Sequence, residues 1–249
     1  MLTAVILTKN EENNIERCIK SLKFCDQIVV VDDESTDNTV KIAKKLKAEV
    51  LVHPMKDFAA QHNWAMENIK SNWLLFIDAD ELVSQKLAGE ILKKIEKPDA
   101  VGYFIPRVDT MWNKKLRFGD LWGAKFIRLG RRGTGLWEGA VHEQWKLTGI
   151  VGNLKNAINH YPHPNLVEFL SSLNRYSSIR AEELYSKGDR SNVFQIIFYP
   201  ILKFKWLWIF RLGFLDGIEG FIHAVSMAFY SFLVRGKMYL LHRKIGVWS

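Results

Sequence analysis

Asn72-Trp-Leu-Leu-Phe-Ile-Asp78-Ala-Asp80-Glu81 is an apolar run that stops abruptly at three acids. Apolar at every position from Trp73 to Ile77, it reads as a strand buried on both faces of a parallel sheet. Its carboxylates then stand at the strand's C-terminal end, the edge where open α/β sheets bind ligands. Two aspartates one residue apart at that edge suit a divalent cation that keeps positions for phosphate oxygens. Asp-x-Asp alone equally suits a polar strand exit, so the reading needs partners elsewhere in the chain.

Those partners lie upstream. Residues 3 to 7 form a short apolar strand broken by Thr8-Lys9-Asn10-Glu11-Glu12, and Asn13-x-x-Glu16 offers a helix N-cap with a returning acid. Gln27 to Val31 repeats the cycle, followed by Asp32-Asp33-Glu34-Ser35-Thr36-Asp37 and a helix turning Val40, Ala43 and Leu46 inward. A third strand covers residues 49 to 52 and a third helix 58 to 68. Strands alternating with helices predict a doubly wound, mostly parallel sheet with right-handed connections. Three polar loops, 8 to 11, 32 to 37 and 78 to 81, then gather at one sheet edge. No glycine-rich phosphate loop or dinucleotide fingerprint lies between a strand and a helix, so charge on a diphosphate would be met by a metal and by later basic side chains.

Beyond the acids, Ser84 caps a helix through Leu87, Ile91, Leu92 and Ile95, ended by Pro98-Asp99. Residues 101 to 105 and 125 to 129 read as strands separated by a loop rich in tryptophan and cations (Arg107, Trp112, Lys114, Lys115, Arg117, Trp122), a candidate acceptor wall. Arg128-Leu-Gly-Arg131-Arg132-Gly-Thr-Gly135 reads as a cationic turn. It leads to Trp137-Glu138-Gly139-Ala-Val-His142-Glu143, where a histidine and two carboxylates within six residues can supply a general base and a metal ligand. His160-Tyr-Pro-His163-Pro reads as a linker whose prolines argue against a metal site. The chain therefore divides into a catalytic region, 1 to 160, and a helical region, 161 to 249. In the latter, Asn165 opens a helix with Leu166, Phe169, Leu170, Leu173, Tyr176 and Leu184 inward.

Composition narrows the class. The chain has 249 residues, 48% of them hydrophobic, enough for a sizeable core. Two cysteines are too few for a disulfide framework, and the N-terminus runs straight into a strand, so a reducing, cytoplasmic setting is expected. Of the formal +8, the last sixty residues hold eight Lys or Arg against two acids, a net +6. That segment also contains two apolar stretches, 193 to 210 and 217 to 234. Basic, apolar and tryptophan-rich together favour an anionic membrane surface over nucleic acid. Pro200, Lys203 and Lys205 interrupt the first stretch, and Asp216, Glu219 and His223 share one face of the second. Docking in the interface is therefore expected rather than spanning, against the plainer reading of a helical subdomain.

Thr8-Lys-Asn-Glu11, Val31-Asp-Asp-Glu-Ser-Thr-Asp37, Asp78-Ala-Asp80-Glu81 and Gly139-Ala-Val-His-Glu143, in this order over about the first 145 residues, resemble family 2 glycosyltransferases with the GT-A fold. The His-Glu pair and Arg211-Leu-Gly-Phe-Leu-Asp-Gly217 resemble, within that family, the bacterial lipopolysaccharide core β-glucosyltransferase group. The resemblance implies a nucleotide-sugar donor, most simply a UDP-sugar, with Thr8, Asn10 and Glu11 lining the nucleoside site and Asp33 on the base. Asp78 and Asp80 would hold Mg2+ or Mn2+ on the diphosphate, with His142 completing the shell or touching a phosphate. Glu143 would be the general base of an inverting transfer of a hexose, with Glu138 in reserve. The acceptor would be a lipid-linked or lipopolysaccharide-core glycan, met on the inner face of the cytoplasmic membrane. Alternatives are a polyprenyl or peptide acceptor, a metal-dependent nucleotidyltransferase, which normally wants a glycine-rich loop that Thr8 to Asn14 lacks, and an inactive membrane-binding module.

Overall fold

The structure is a computed structural model that describes residues 1–139, 143–162 and 165–243. The chain forms two compact units, Met1–Val108 with Ala124–Tyr161, and Asp109–Gly123 with Pro162–Ser249.

The first unit begins with β1 (Leu2–Thr8), α1 (Ile15–Ser21), β2 (Gln27–Asp32), α2 (Thr39–Lys45), β3 (Glu49–Val52), α3 (Phe58–Asn68) and β4 (Trp73–Asp78). β5 (Glu81–Leu82), α4 (Gln85–Glu96) and β6 (Gly102–Met111) follow, and β6 runs on into the second unit, where it returns as β7 (Lys114–Leu116). The chain re-enters the first unit with β8 (Lys125–Arg131), β9 (Gly135–Glu138), β10 (Gln144–Leu147), β11 (Val151–Asn153) and β12 (Ile158–His160). Strands run in the order β3-β2-β1-β4-β8-β6-β12-β5, with β9 and β10 as a separate hairpin. β3, β2, β1 and β4 are parallel, as alternation with helices requires, whereas β8 pairs antiparallel with both β4 and β6. The order reverses at β1, so the crevice beyond β1 and β4 is a topological switch point.

Every side chain from Trp73 to Ile77 is buried, because both faces of β4 are covered. On one face Leu75 and Ile77 join Ile15, Ile19, Leu87 and Ile91 of α1 and α4. On the other, Leu74 and Phe76 meet Ala65 and Met66 of α3 and the rings of Trp137 and Trp145 from the hairpin. Gly130 of β8 lies directly under the Trp145 indole, where a Cβ would clash with the ring.

Local caps differ from expectation at α1. Asn14, not Asn13, precedes the helix and makes no side-chain cap bond, and the Glu11 carbonyl instead accepts the Asn14 and Ile15 N–H groups. Ser84 does cap α4, accepting the Leu87 N–H at 3.2 Å; Leu87 and Ile91 are buried and Leu92 is exposed. The stretch 106 to 124 is not a simple loop. β6 extends through Pro106 to Met111 and turns at Trp112 and Asn113, both at positive φ, into β7. Two successive residues in that region form the tight turn matching the twist of a hairpin. His160 likewise belongs to a strand, with β12 pairing antiparallel to β5, so His160 is not part of a linker.

In the second unit, α5 (Leu166–Ser186), α6 (Val193–Lys205) and α7 (Gly217–Arg243) accompany β7 and a 3-10 turn at Gly119–Leu121. Asn165 caps α5 through the Glu168 N–H at 2.9 Å, as its spacing predicts. The buried stripe of α5 is Phe169, Leu173, Ser177 and Ala181, while Leu166 and Leu170 are exposed. Ser177 is inward because it accepts a hydrogen bond from Lys237 at 2.8 Å, a demand that apolar periodicity does not register. Pro200 does not stop α6, which continues into a π-helical turn at Trp206–Phe210.

Candidate active site

The three polar loops meet beyond β1, β2 and β4 through hydrogen bonds. Asp33 donates its N–H to the Thr8 carbonyl at 2.9 Å. Its carboxylate accepts from Lys9 Nζ and from the Met55 N–H, each at 2.8 Å. Partial burial works against ionisation of Asp33, but these two donors hold its carboxyl below the usual range. Asn10, at φ 55°, receives the Thr36 N–H on its side-chain oxygen and gives its own N–H to Ser35 Oγ. Glu11 donates its N–H to Thr39 Oγ1 and accepts from Asn14 Nδ2, each at 2.7 Å. Burial pushes the Glu11 carboxyl up; Asn14 opposes this, and the charges of Asp80, Asp37 and Asp78 add to it. Glu11 thus shares its field with the Asp-x-Asp pair.

At the centre of the acids is a cation that the sequence places where the strand read over 125 to 129 meets the cationic turn. Arg128 lies inside β8, beside β4, and is 6% exposed. Its guanidinium reaches Asp78 Oδ2 at 2.6 Å and Oδ1 at 3.4 Å, and stands 3.6 Å from Glu81 Oε1. Glu81 is fully buried and accepts the Asp78 N–H at 3.0 Å on its other oxygen. Desolvation alone would raise Asp78, yet Arg128, aided by His160, holds it below the ordinary carboxylate range. Glu81 goes the other way: burial raises it, Arg128 counters, and the neighbouring Asp78 charge raises it further. Burial works against the charge of Arg128 too, but Asp78, Glu81 and Glu143 keep it firmly protonated. Glu143 belongs to the same group. Burial and then the Asp78 charge raise its carboxyl, while Arg128 lowers it. Neighbouring carboxyls pushed in opposite directions separate a permanent anion from a proton carrier.

Asp80 faces a different partner. Its Oδ2 lies 3.3 Å from His160 Nε2, delivered by β12 because that strand pairs with β5. A carboxylate oxygen and an imidazole nitrogen at this separation are two donors that suit a divalent cation. Among the described residues no three His, Cys, Asp or Glu side chains form a complete protein-only cage.

Of the other expected residues, His142 lies outside the described residues, as does His163. Glu138 is exposed on β9, opposite Gln144. His62 was not foreseen. It is 1% exposed, stacked on Trp137 at 3.9 Å, and its Nδ1 lies 2.7 Å from the Phe58 carbonyl. A carbonyl only accepts, so Nδ1 carries a proton. Burial, reinforced by Arg128, lowers its pKa to about 4. Residues such as Arg128, His160 and His62 carry no motif. Only β8's place beside β4, and β12's beside β5, would have revealed the first two.

Residues 3–144 match the model of Glycosyl transferase family 2. The chain belongs to this family. Its first unit accordingly has the GT-A fold, and the family membership removes the nucleotidyltransferase alternative. Similar proteins include the lipopolysaccharide core biosynthesis glycosyltransferase LpsC of Rhizobium meliloti, 31% identical over 97% of this chain and 93% of that protein. Among solved structures, S. aureus TarS in complex with UDP aligns at 15% identity over 98% of this chain and 91% of the other, with a TM-score of 0.49. Glucosyl-3-phosphoglycerate synthase from Mycobacterium tuberculosis, in complex with Mn2+, UDP-glucose and phosphoglyceric acid, aligns at 22% identity over 42% and 44%, with a TM-score of 0.37.

Proposed function

We propose that this glycosyltransferase moves a hexose from a nucleotide-sugar donor, most simply a UDP-sugar, onto a lipid-linked or lipopolysaccharide-core acceptor, with inversion at the anomeric carbon. The observation that carries the mechanism is the pairing of Glu143, its carboxyl raised, with Asp78, held ionised by Arg128 in the same cluster. The acceptor class follows the role in lipopolysaccharide core biosynthesis of LpsC, to which almost the whole chain aligns.

In this reading Asp33 receives the base, with Thr8, Asn10 and Glu11 around the nucleoside. Asp80 and His160 would hold a Mg2+ or Mn2+ ion, with Asp78 as the further carboxylate of the Asp-x-Asp pair. When bound, the ion would offset the negative charge that develops on the departing diphosphate. Arg128 keeps Asp78 and Glu81 in place and lends positive charge to the pocket floor. Glu143 takes the proton of the acceptor hydroxyl as its oxygen attacks the anomeric carbon opposite the leaving group. A raised carboxyl is a stronger base than an ordinary glutamate once ionised, at the expense of activity below its pKa. Glu138, exposed on β9, is the reserve candidate.

The test compares Glu143→Gln with Glu138→Gln in a transfer assay containing UDP-glucose, Mn2+ and lipopolysaccharide-core acceptor. Glu143→Gln should lower kcat by roughly 10²- to 10⁴-fold with little change in donor KM, and Glu138→Gln should stay near wild type. The reverse ranking would move the base to Glu138.

A further inference from the structure

The apolar surface of the second unit faces outward. α6 has no buried residue, and Phe194 and Leu202 are each about 60% exposed. On α7, Ile218, Phe221, Val225, Phe229 and Phe232 are exposed at steps of three and four, a helical stripe in which Phe221 also meets the rings of Phe204 and Trp208 edge-on. Both segments are long and apolar enough to cross a bilayer by composition alone.

The packing around the hairpin argues against crossing. At its tip, the Asp216 carboxylate accepts the N–H groups of Arg117 and Phe118 at 3.0 and 2.9 Å. Lys114 binds Glu219 and Lys203 binds Asp120, each at 2.9 Å, while Arg211 donates to the carbonyls of Gly119 and Trp122. Gly213 and Gly220 permit the turn, since a Cβ on Gly220 would collide with the Gly213 carbonyl. The tip is thus clasped by residues 109–123, a segment entered from β6 and left into β8. Along its length α7 is accompanied by α5: Phe169 stacks on His223 at 6.0 Å, and Lys237 Nζ donates to Asn174 Oδ1 and Ser177 Oγ at 2.8 Å. α5 carries Arg175, Arg180, Glu182 and Glu183. Crossing would drag these charges and the polar clasp into hydrocarbon, where each is strongly disfavoured.

We propose that the outward face of the α6–α7 hairpin lies in one leaflet of an anionic bilayer and does not cross it. Lys205, Lys115 and Arg117 are exposed on the same unit, and Arg235 stacks on the Tyr199 ring at the α6–α7 junction. These cations complement anionic headgroups. Trp206, half exposed in the π-helical turn, has the amphipathic ring favoured at headgroup depth. This deepens the reading of the acceptor as lipid-linked, and it can fail separately.

Full-length protein is floated with vesicles of phosphatidylcholine with and without phosphatidylglycerol, then washed with alkaline carbonate. Binding should require phosphatidylglycerol, weaken with salt, and be reversed by carbonate. The double substitution Leu202→Glu with Ile218→Glu, both at exposed positions, should weaken vesicle binding about a hundredfold. Its release of UDP from UDP-glucose without lipid should stay at the wild-type rate, which separates this inference from the transferase reading. Retention through carbonate would overturn the one-leaflet arrangement. Failure of wild type to bind any vesicle would overturn the lipid partner, as would a dimer in sedimentation velocity that these substitutions dissolve.

Discussion

Acidification should unfold the first unit partly through one imidazole. His62 is buried and neutral, with a folded pKa of about 4. Its unfolded value is near 6.5. Above pH 6.5 neither state binds the proton and the contribution of neutral burial is fully present. Between 6.5 and 4 the unfolded chain takes up a proton that the fold refuses, so stability falls as pH falls. The slope is about 1.4 kcal/mol per pH unit, which sums to about 3 kcal/mol by pH 4. Because carboxylates also titrate there, the relevant quantity is the difference between wild type and His62→Leu, which keeps an apolar filler beside Phe76 and Trp137. Urea unfolding followed by far-UV circular dichroism at pH 7.5, 5.5 and 4.5 should show wild type losing about 2 kcal/mol more than the variant between the first and last conditions. Equal losses in the two proteins would refute a neutral buried His62.

Other expectations follow from the same cluster. Arg128→Met leaves Asp78, Glu81 and Glu143 without their shared cation and should destabilise the fold by about 3 kcal/mol, with Arg128→Lys intermediate; urea midpoints check both, and a loss under about 1 kcal/mol would deny the central role of Arg128. The base-limb of the kcat profile for transfer should lie above the ordinary glutamate range, as the raised Glu143 carboxyl requires, and a profile flat down to that range would exclude Glu143. His160→Ala should weaken Mn2+ binding measured by calorimetry in the presence of UDP by roughly 10- to 100-fold while leaving thermal stability near wild type; unchanged Mn2+ affinity would take His160 out of the ligand set.

Much of the first unit was legible because it obeys local rules. β4 announces itself by five consecutive apolar residues, α3 and β3 have the bounds that their patterns predict, and Ser84 caps α4 as its spacing implies. The convergence of the three acidic loops also follows from alternation alone, since parallel strands place their exits on one edge. What escaped depends on pairing across the sheet. Arg128 sits in a sequence of glycines and cations that looks like a turn, and only its strand position next to β4 buries it against Asp78. His160 stands before a proline-rich segment, yet the short ladder of β12 with β5 turns it onto Asp80. The strand read over 101 to 105 carries on as β6 to the Trp112–Asn113 turn. On α5 a serine occupies the core because a lysine from α7 needs its oxygen.

Release of UDP is the most direct test of the central claim, that paired acids beyond β4 support departure of a sugar's nucleotide diphosphate. Wild-type protein incubated with UDP-glucose and Mn2+ should release UDP slowly, without pyrophosphate, and faster when acceptor is added. Asp80→Ala should lose that release while keeping the wild-type circular dichroism spectrum. Wild-type turnover in Asp80→Ala, or pyrophosphate as the product, would contradict the account.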